Sequence, residues 1–372
     1  MRIALVHDWL TGMRGGEKVL EQLCLLFPQA PIYTLFHFKG TVSDVIEGHP
    51  IHTSFLQRAP GIENHYRTYL PLFPVAIQDL DLSRYDLVVS TSHCVAKSVE
   101  TGEGGVHVCY CHTPMRYAWD QRKVYFPGRG PMSWPQHAVL AALRQWDAAT
   151  SDRVDTYVAN STFVRNRIRR YYDRDAIVVP PPVDVDFFTP QHRPGEGSGR
   201  DPAFALMVAA LSPYKRLDLA IEACRRLDLE LRIVGTGPNR ERLERSQGSG
   251  VRLLGHVSHE DLRDLYRAAV CFLQPGVEDF GIAAVEALAC GCPVVALDQG
   301  GVRDIVESGR HGILFEEASG LEGLIAAVDK ILEMKSNILD LRRRAEQFSV
   351  KGFVVRMQSV IQQAIDRKGD AH

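Results

Sequence analysis

The chain has 372 residues, 45% hydrophobic and 24% charged, with 30 glycines and 20 prolines. Single cores tend to stop growing near ~250 residues, so this length divides into two domains of roughly 150 to 200 residues each. A formal charge of -2 excludes both the strongly basic surface of a nucleic-acid binder and an acidic disordered tail.

Residues 2–7 read as a buried strand, 11–16 as a glycine-bearing loop and 17–27 as a helix, which together make one βα unit. Apolar runs at 31–36, 87–90, 106–111, 156–159 and 176–179 alternate with loops and helical stretches, the pattern of parallel strands joined by crossovers. Between Arg58 and Trp134 the chain is rich in Tyr, Phe, Pro and Arg. That stretch reads either as an irregular insertion with a satellite core, or as a lipid-facing or acceptor-binding surface. Residues 189–202, TPQHRPGEGSGRDP, are polar and rich in Gly and Pro, and mark a linker between a first domain at 1–188 and a second at 203–351. The alternation restarts beyond it. Strands are expected at 204–209, 230–234, 251–254, 270–273 and 293–296, and helices at 216–226, 258–268 and 282–289. The fold class is therefore α/β, with two Rossmann-like domains.

Residues 1–180 carry 19 Lys and Arg against 17 Asp and Glu, so the first half is the more basic one. Its sharpest cluster, Arg165, Arg167, Arg169, Arg170 and Arg174, reads as a solvated helix face or as a weak attractor of anionic headgroups. Of eight cysteines, the CxC pairs Cys109/Cys111 and Cys290/Cys292 fall in strand-like segments and read as buried small hydrophobes in a reducing compartment rather than as metal ligands. The opening residues lack a signal-peptide pattern and no apolar run reaches eighteen residues. The expectation is a cytoplasmic chain, free or held peripherally on the inner face of a membrane.

Ligands of open parallel sheets bind beyond the strand C-termini, which directs attention to loops there. Gly15 and Gly16 precede the first helix and let backbone amides approach a phosphate, although an isolated GG is equally a tight turn. His112, in CYCHTPMRY, ends a strand and is either a substrate contact or a tie for its own loop. Lys215 and Arg216 follow a strand and place cations for a phosphate, or snorkel at a helix start. Gly235 and Gly237, in GTGP, lack dinucleotide spacing and suit a turn as well as a ligand. Gly300 and Gly301 admit the same two readings. The densest constellation runs from Glu278 to Glu286, where two carboxylates bracket a helix start at Gly281 and Ile282 and can accept hydrogen bonds from sugar hydroxyls. Their separation of eight positions does not establish a glycosidase pair.

With EDFGIAAVEALACGCPVVA, PYKRLDLAIEA, the GG loop, the HTP segment, GTGP and Gly300-Gly301 in this order, the chain resembles retaining GT-B glycosyltransferases of family 4, the glycogen synthase-like group. The resemblance covers nearly the full length. It implies two Rossmann-like domains facing across a cleft, with a final helix at about 352–372 returning to the first domain. It places Lys215 at the donor diphosphate, Glu278 at donor-sugar hydroxyls and Glu286 at the ribose, with backbone contacts from Gly281 and Ile282. It places His112 at the donor sugar and the charge developing near its anomeric carbon, and Gly16 by the diphosphate or acceptor. Gly235, Gly237, Gly300 and Gly301 complete the donor-side set. Many relatives carry an arginine five positions before the lysine; Ala210 stands there in this chain, and the adjacent Arg216 is the candidate substitute. The resemblance implies a nucleotide sugar as substrate, no cofactor and no required metal. HTPMRYAWD also resembles the bacterial branch that builds exopolysaccharide, capsule or lipopolysaccharide O-antigen, often by moving mannose from GDP-mannose onto a lipid-linked saccharide. Another nucleotide sugar with a soluble acceptor, or a catalytically silent nucleotide-sugar-binding protein, are the alternatives.

Overall fold

The computed structural model describes residues 1–116, 118–119, 134–191, 203–237, 240, 243 and 250–370. The core of the expected linker, 192–202, lies outside the described residues, as do 120–133 of the aromatic stretch and Pro238 of GTGP. The chain forms two compact units, Met1–Pro182 with Lys351–His372, and Val183–Val350.

The first unit contains seven strands: β1 (Ile3–His7), β2 (Ile32–Thr34), β3 (Ile51–Thr53), β4 (Leu87–Ser92), β5 (Val106–Cys111), β6 (Thr156–Ala159) and β7 (Ala176–Val178). They pair in the order β3-β2-β1-β4-β5-β6-β7, every pair parallel. Strands β4 and β5 are buried at every position, Ser90, Thr91, Ser92 and His107 included, so neither has an exposed face. Helices α1 (Gly15–Leu26), α2 (Trp134–Ala149) and α3 (Thr162–Tyr172) belong to this unit. Ser161 caps α3 by accepting the Val164 amide at 3.1 Å. Within the aromatic stretch, Tyr66 and Phe73 pack against Trp9, with ring centroids 5.7 and 5.8 Å away, and Phe36 stacks on the same indole. That part is no satellite: it packs into the same core as Ala4, Val6 and Val88 of the first sheet. Its neighbours Phe55, Leu72 and Val75 stay exposed.

The second unit contains β8 (Phe204–Val208), β9 (Glu230–Val234), β10 (Val251–Gly255), β11 (Cys271–Gln274), β12 (Val294–Leu297) and β13 (Gly312–Phe315), in the order β10-β9-β8-β11-β12-β13. All of these pairs are parallel. Helices α4 (Leu217–Arg226), α5 (His259–Ala268), α6 (Ile282–Ala289), α7 (Gly320–Glu333) and α8 (Ile338–Glu346) cover its two faces. The last helix, α9 (Val350–Gly369), sends Phe353, Met357, Val360, Ile361 and Ala364 into the core of the first unit.

The division falls at Pro182/Val183, ahead of the composition break at 189. Val183, Val185 and Phe188 already belong to the second unit's core. Val183 donates its amide to the Phe348 carbonyl at 3.0 Å, and the Arg342 guanidinium donates to the carbonyls of Val185 and Phe188. All eight cysteines are free and buried, and burial raises the thiol pKa of each pair expected as CxC. Among the described residues no group of His, Cys, Asp or Glu is arranged to hold a metal ion. None of the described helices is long and apolar enough to cross a membrane.

Candidate functional site

In each sheet the strand order reverses once, between β1 and β4 in the first unit and between β8 and β11 in the second. At such a point the crossovers leave toward opposite sides, so a crevice opens beyond the strand C-termini. The candidate residues gather at these two places.

In the first unit β1 ends at His7, followed by Asp8, and α1 begins at Gly15. His7 Nδ1 meets Thr91 Oγ1 at 2.5 Å, and its Nε2 lies 3.7 Å from the Glu17 carboxylate. Glu17 itself accepts the Arg14 amide at 3.0 Å and closes the first turn of α1. A Cβ on Gly16 would sit 3.4 Å from His7 Cε1 and 3.5 Å from His112 Nε2, so this glycine lies directly over both rings. His112 is positioned through its backbone: its amide donates to Ser92 at 2.8 Å and its carbonyl accepts from Asn160 Nδ2 at 3.0 Å. Arg167 holds the next residue, Thr113, at 2.6 Å. Burial, then the nearby His93 and His7, push the His112 imidazole down to about 3, so it is neutral at physiological pH. Its Nε2 is sealed from water without a hydrogen-bond partner among the described residues.

In the second unit Lys215, in the loop after β8, forms an ion pair with Glu278, in the loop after β11. Both side chains are largely buried. The two loops approach this closely because Gly276 has no side chain: a Cβ there would lie 2.4 Å from the Tyr214 carbonyl oxygen and 2.8 Å from Lys215 Cα. Glu278 is further pinned by a bridge to Gly300, and its carbonyl accepts the Gly301 amide at 2.9 Å. Gly281, with φ +106, turns the chain into α6, whose first residue is Ile282. Glu286 lies one turn deeper in α6, buried, and accepts a hydrogen bond from the Tyr266 hydroxyl at 3.1 Å.

The structure thus brings Lys215, Glu278, Gly281, Ile282, Glu286, Gly300 and Gly301 to one end of the second sheet. Arg216 differs: its guanidinium turns to Asp218 at 3.2 Å on the protein surface. Gly235 and Gly237 lie where the loops after β8 and β9 touch, since a Cβ on Gly235 would fall 2.0 Å from the Ala209 carbonyl oxygen. Three polar groups, two of them buried, escaped sequence reasoning. Asp8 accepts four successive amides, those of His93, Cys94, Val95 and Ala96. His93 pairs with Asp8. Gln274 ends β11 beneath Gly281, with Nε2 lacking a partner among the described residues. A polar residue closing an apolar strand run was the available signal for Asp8 and Gln274.

Two parallel, doubly wound α/β units, each with polar residues beyond its switch point, define the class. Residues 15–187 match the family model "Glycosyltransferase Family 4", and residues 188–349 match "Glycosyl transferases group 1". The two units are therefore a family 4-like domain and a group 1 domain of the GT-B glycosyltransferase architecture. The chain is 34% identical over 223 residues to a D-inositol 3-phosphate glycosyltransferase of Geodermatophilus obscurus, a match covering 52% of this chain and 49% of that protein. It is 30% identical over 258 residues to D-inositol 3-phosphate glycosyltransferase 1 of Catenulispora acidiphila, covering 62% of this chain and 60% of that one. The matches thus span about half the length of these curated relatives. Among solved structures, sucrose-phosphate synthase from Thermosynechococcus elongatus superposes with a TM-score of 0.73 at 17% identity, covering 99% of this chain and 100% of that chain. HepE from Anabaena, in complex with UDP, superposes with a TM-score of 0.70 at 18% identity, covering 98% and 100%. At these identities the likeness is one of fold.

Proposed function

We propose that the protein is a retaining glycosyltransferase that moves a sugar, with mannose from GDP-mannose as the leading donor, onto a lipid-linked saccharide in polysaccharide biosynthesis. The observation that carries the transferase reading is the Lys215–Glu278 pair at the switch point of a group 1 domain. Without ligand the two side chains neutralise each other. An arriving diphosphate offers Lys215 a stronger partner and releases Glu278 to accept hydrogen bonds from the donor sugar, so one exchange binds both halves of the donor. Glu286, held by Tyr266, takes the ribose hydroxyls, and Gly281 and Ile282 supply amides at the start of α6. Lys215 offsets the charge that develops on the leaving phosphate, which assists deprotonation of the acceptor. Neutral His112 accepts or donates one hydrogen bond at the donor sugar without adding charge. The reaction as proposed uses no cofactor and no metal. The acceptor and the peripheral membrane association, on the cytoplasmic face, come from the HTPMRYAWD resemblance and the exposed Arg169 and Arg170 of α3, Arg167 of the same cluster being buried against Thr113.

A soluble, phosphorylated polyol acceptor is the second reading, supported by the curated relatives named for D-inositol 3-phosphate. UDP-sugars are the second donor class, since HepE was solved with UDP-glucose. Mass-resolved product screening across UDP- and GDP-sugars, with membrane extract in one arm and soluble polyol phosphates in the other, tests these together. Product from GDP-mannose in the membrane arm is expected. Product from UDP-glucose alone replaces the donor, product in the soluble arm alone replaces the acceptor, and donor binding without product in any arm rejects the transferase in favour of a silent nucleotide-sugar binder.

A further inference from the structure

His93 has no role in the reading above, yet it stands just beyond β4 where the first sheet reverses its order. The residue is built into place with unusual thoroughness. Its own amide and those of Cys94, Val95 and Ala96 donate to Asp8 at 2.6, 2.9, 2.6 and 2.7 Å, and its ring Nδ1 lies 3.0 Å from Asp8 Oδ2. Asp8 is completely buried, and burial alone would neutralise it; His93, His7 and the amide donors reverse that and hold its pKa below the usual carboxylate range. A carboxylate only accepts, so Nδ1 of His93 carries a hydrogen in every state of the ring. The opposite nitrogen, Nε2, is not engaged by Asp8, and the side chain is 28% exposed.

The groups that face this ring are Asp8 and His7 from the end of β1, Glu17 from α1, His112 from the end of β5, and Arg116 beyond it. Trp9 stands edge-on at 4.5 Å between ring centroids. Burial and Arg116 oppose a proton on His93, while Asp8 and Glu17 favour one and win, raising its pKa above that of an ordinary histidine. Both carboxylates face inward, Asp8 toward four amides and Glu17 toward the Arg14 amide and His7. The partly exposed His93 ring is backed by a buried anion, and once it is protonated its Nε2 also carries a hydrogen to donate; Glu17, in the first turn of α1, a twelve-residue helix that opens with two glycines, is among the charges that favour that proton. His7 Cε1 and His112 Nε2 both come within 3.5 Å of the place a Gly16 Cβ would take, and His112 Nε2 is buried without a hydrogen-bond partner among the described residues.

We infer that His93 is a binding residue of the first unit, presenting Nε2–H to an oxyanion of a phosphorylated ligand in the crevice between the C-terminal ends of β1 and β4. The inference rests on the transferase reading only for the nature of the ligand: phosphate oxygens reach this chain either on the diphosphate of a donor or on a phosphorylated acceptor. Asp8 acts through His93, as a positioning residue that fixes the ring and its proton.

The test is titration of the His93 imidazole in the full chain, by nitrogen chemical shifts assigned with His93→Gln, alone and with UDP, GDP or inorganic phosphate. At least one probe is expected to move the His93 midpoint upward by about half a unit or more, and His93→Gln is expected to bind that probe roughly five- to tenfold more weakly at an unchanged melting temperature. A shift with UDP or GDP alone assigns the oxyanion to the donor. A shift with inorganic phosphate that requires nucleotide already bound assigns it to the acceptor. A midpoint unmoved by all three probes overturns the inference, as does unchanged affinity in His93→Gln. Because the readout is binding, a responsive His93 in a protein that makes no product would sink the transferase reading and leave this one standing.

Discussion

Lys215 and Arg216 are neighbours in sequence with opposite prospects. Lys215 faces Glu278 inside the second unit, whereas Arg216 faces Asp218 in solvent, where a single ion pair contributes little. Lys215→Met is therefore expected to weaken nucleotide-sugar binding about 100-fold, roughly 2.7 kcal/mol by the usual conversion, and Arg216→Ala by no more than about threefold. Isothermal titration with the productive donor checks both, and equal losses would restore Arg216 as a substitute for the arginine absent at Ala210. His107 makes a prediction for pH. Burial pushes its imidazole down to about 4, while Nε2 meets Ser90 at 2.8 Å and Nδ1 meets the Arg153 carbonyl at 3.0 Å. Between about pH 6.5 and pH 4 the unfolded chain binds the proton and the folded chain does not, so stability falls as pH drops through that window, by about 3 kcal/mol at most from this residue. His112 adds to the same slope. Chemical denaturation of His107→Gln against wild type at pH 7 and pH 4.5 should show a shallower acid loss in the variant; an identical loss would contradict a neutral buried ring. The residues gathered at the end of the second sheet were named in the sequence because a resemblance ordered them, whereas Asp8 and Gln274 left only the faint signal of a polar residue closing an apolar run, and His93, fixed through its pairing with Asp8, left none.

At the scale of elements, the site of the second unit depends on loops that touch through missing side chains. Gly276→Ala drives a methyl into backbone atoms of Tyr214 and Lys215, which cannot swing aside as a side chain end would. It is expected to destabilise the protein by about 2 kcal/mol or more and to weaken donor binding by displacing Lys215, measured by chemical denaturation and titration. Gly16→Ala is the contrast, since its methyl would meet ring atoms at 3.4 Å and 3.5 Å. Its melting temperature should stay within about two degrees of wild type, and any lost activity then reports space taken from a ligand rather than misfolding. Most strands were legible as apolar runs, because strands covered on both faces leave that record. Two were not: β3 is three residues long with His52 exposed at the sheet edge, and β13 is four residues beginning at a glycine. Helix α1 also starts earlier than its apolar pattern, at Gly15, because Glu17 closes the first turn back onto the Arg14 amide.

At the scale of the whole molecule, the chain leaves its first unit at Pro182 and returns to it at Lys351. The returning helix α9 buries five apolar side chains in the first unit's core. At about 1.5 to 3 kcal/mol for each large one, this burial is on the order of 10 kcal/mol, as much as many domains have in total. Phe353→Ala alone should cost about 3–5 kcal/mol, and a chain ending at Ser349 should yield little soluble protein; a truncated chain that kept the wild-type melting transition would contradict this. Two-domain organisation was legible from length and the restarted βα pattern, and the return of the last helix from the resemblance. The place of the division was not, because Val183–Phe188 joins the second unit through contacts with Arg342 and Phe348, far away in sequence. The central claim is sugar transfer through the Lys215–Glu278 site, and the direct measurement is product formation from nucleotide sugars by wild type and by Glu278→Gln, side by side, with membrane extract as acceptor. Glycosylated product from at least one donor in the wild type, reduced about 100-fold or more in the variant, is the predicted result; equal product from both proteins, or none from any donor, would contradict the account.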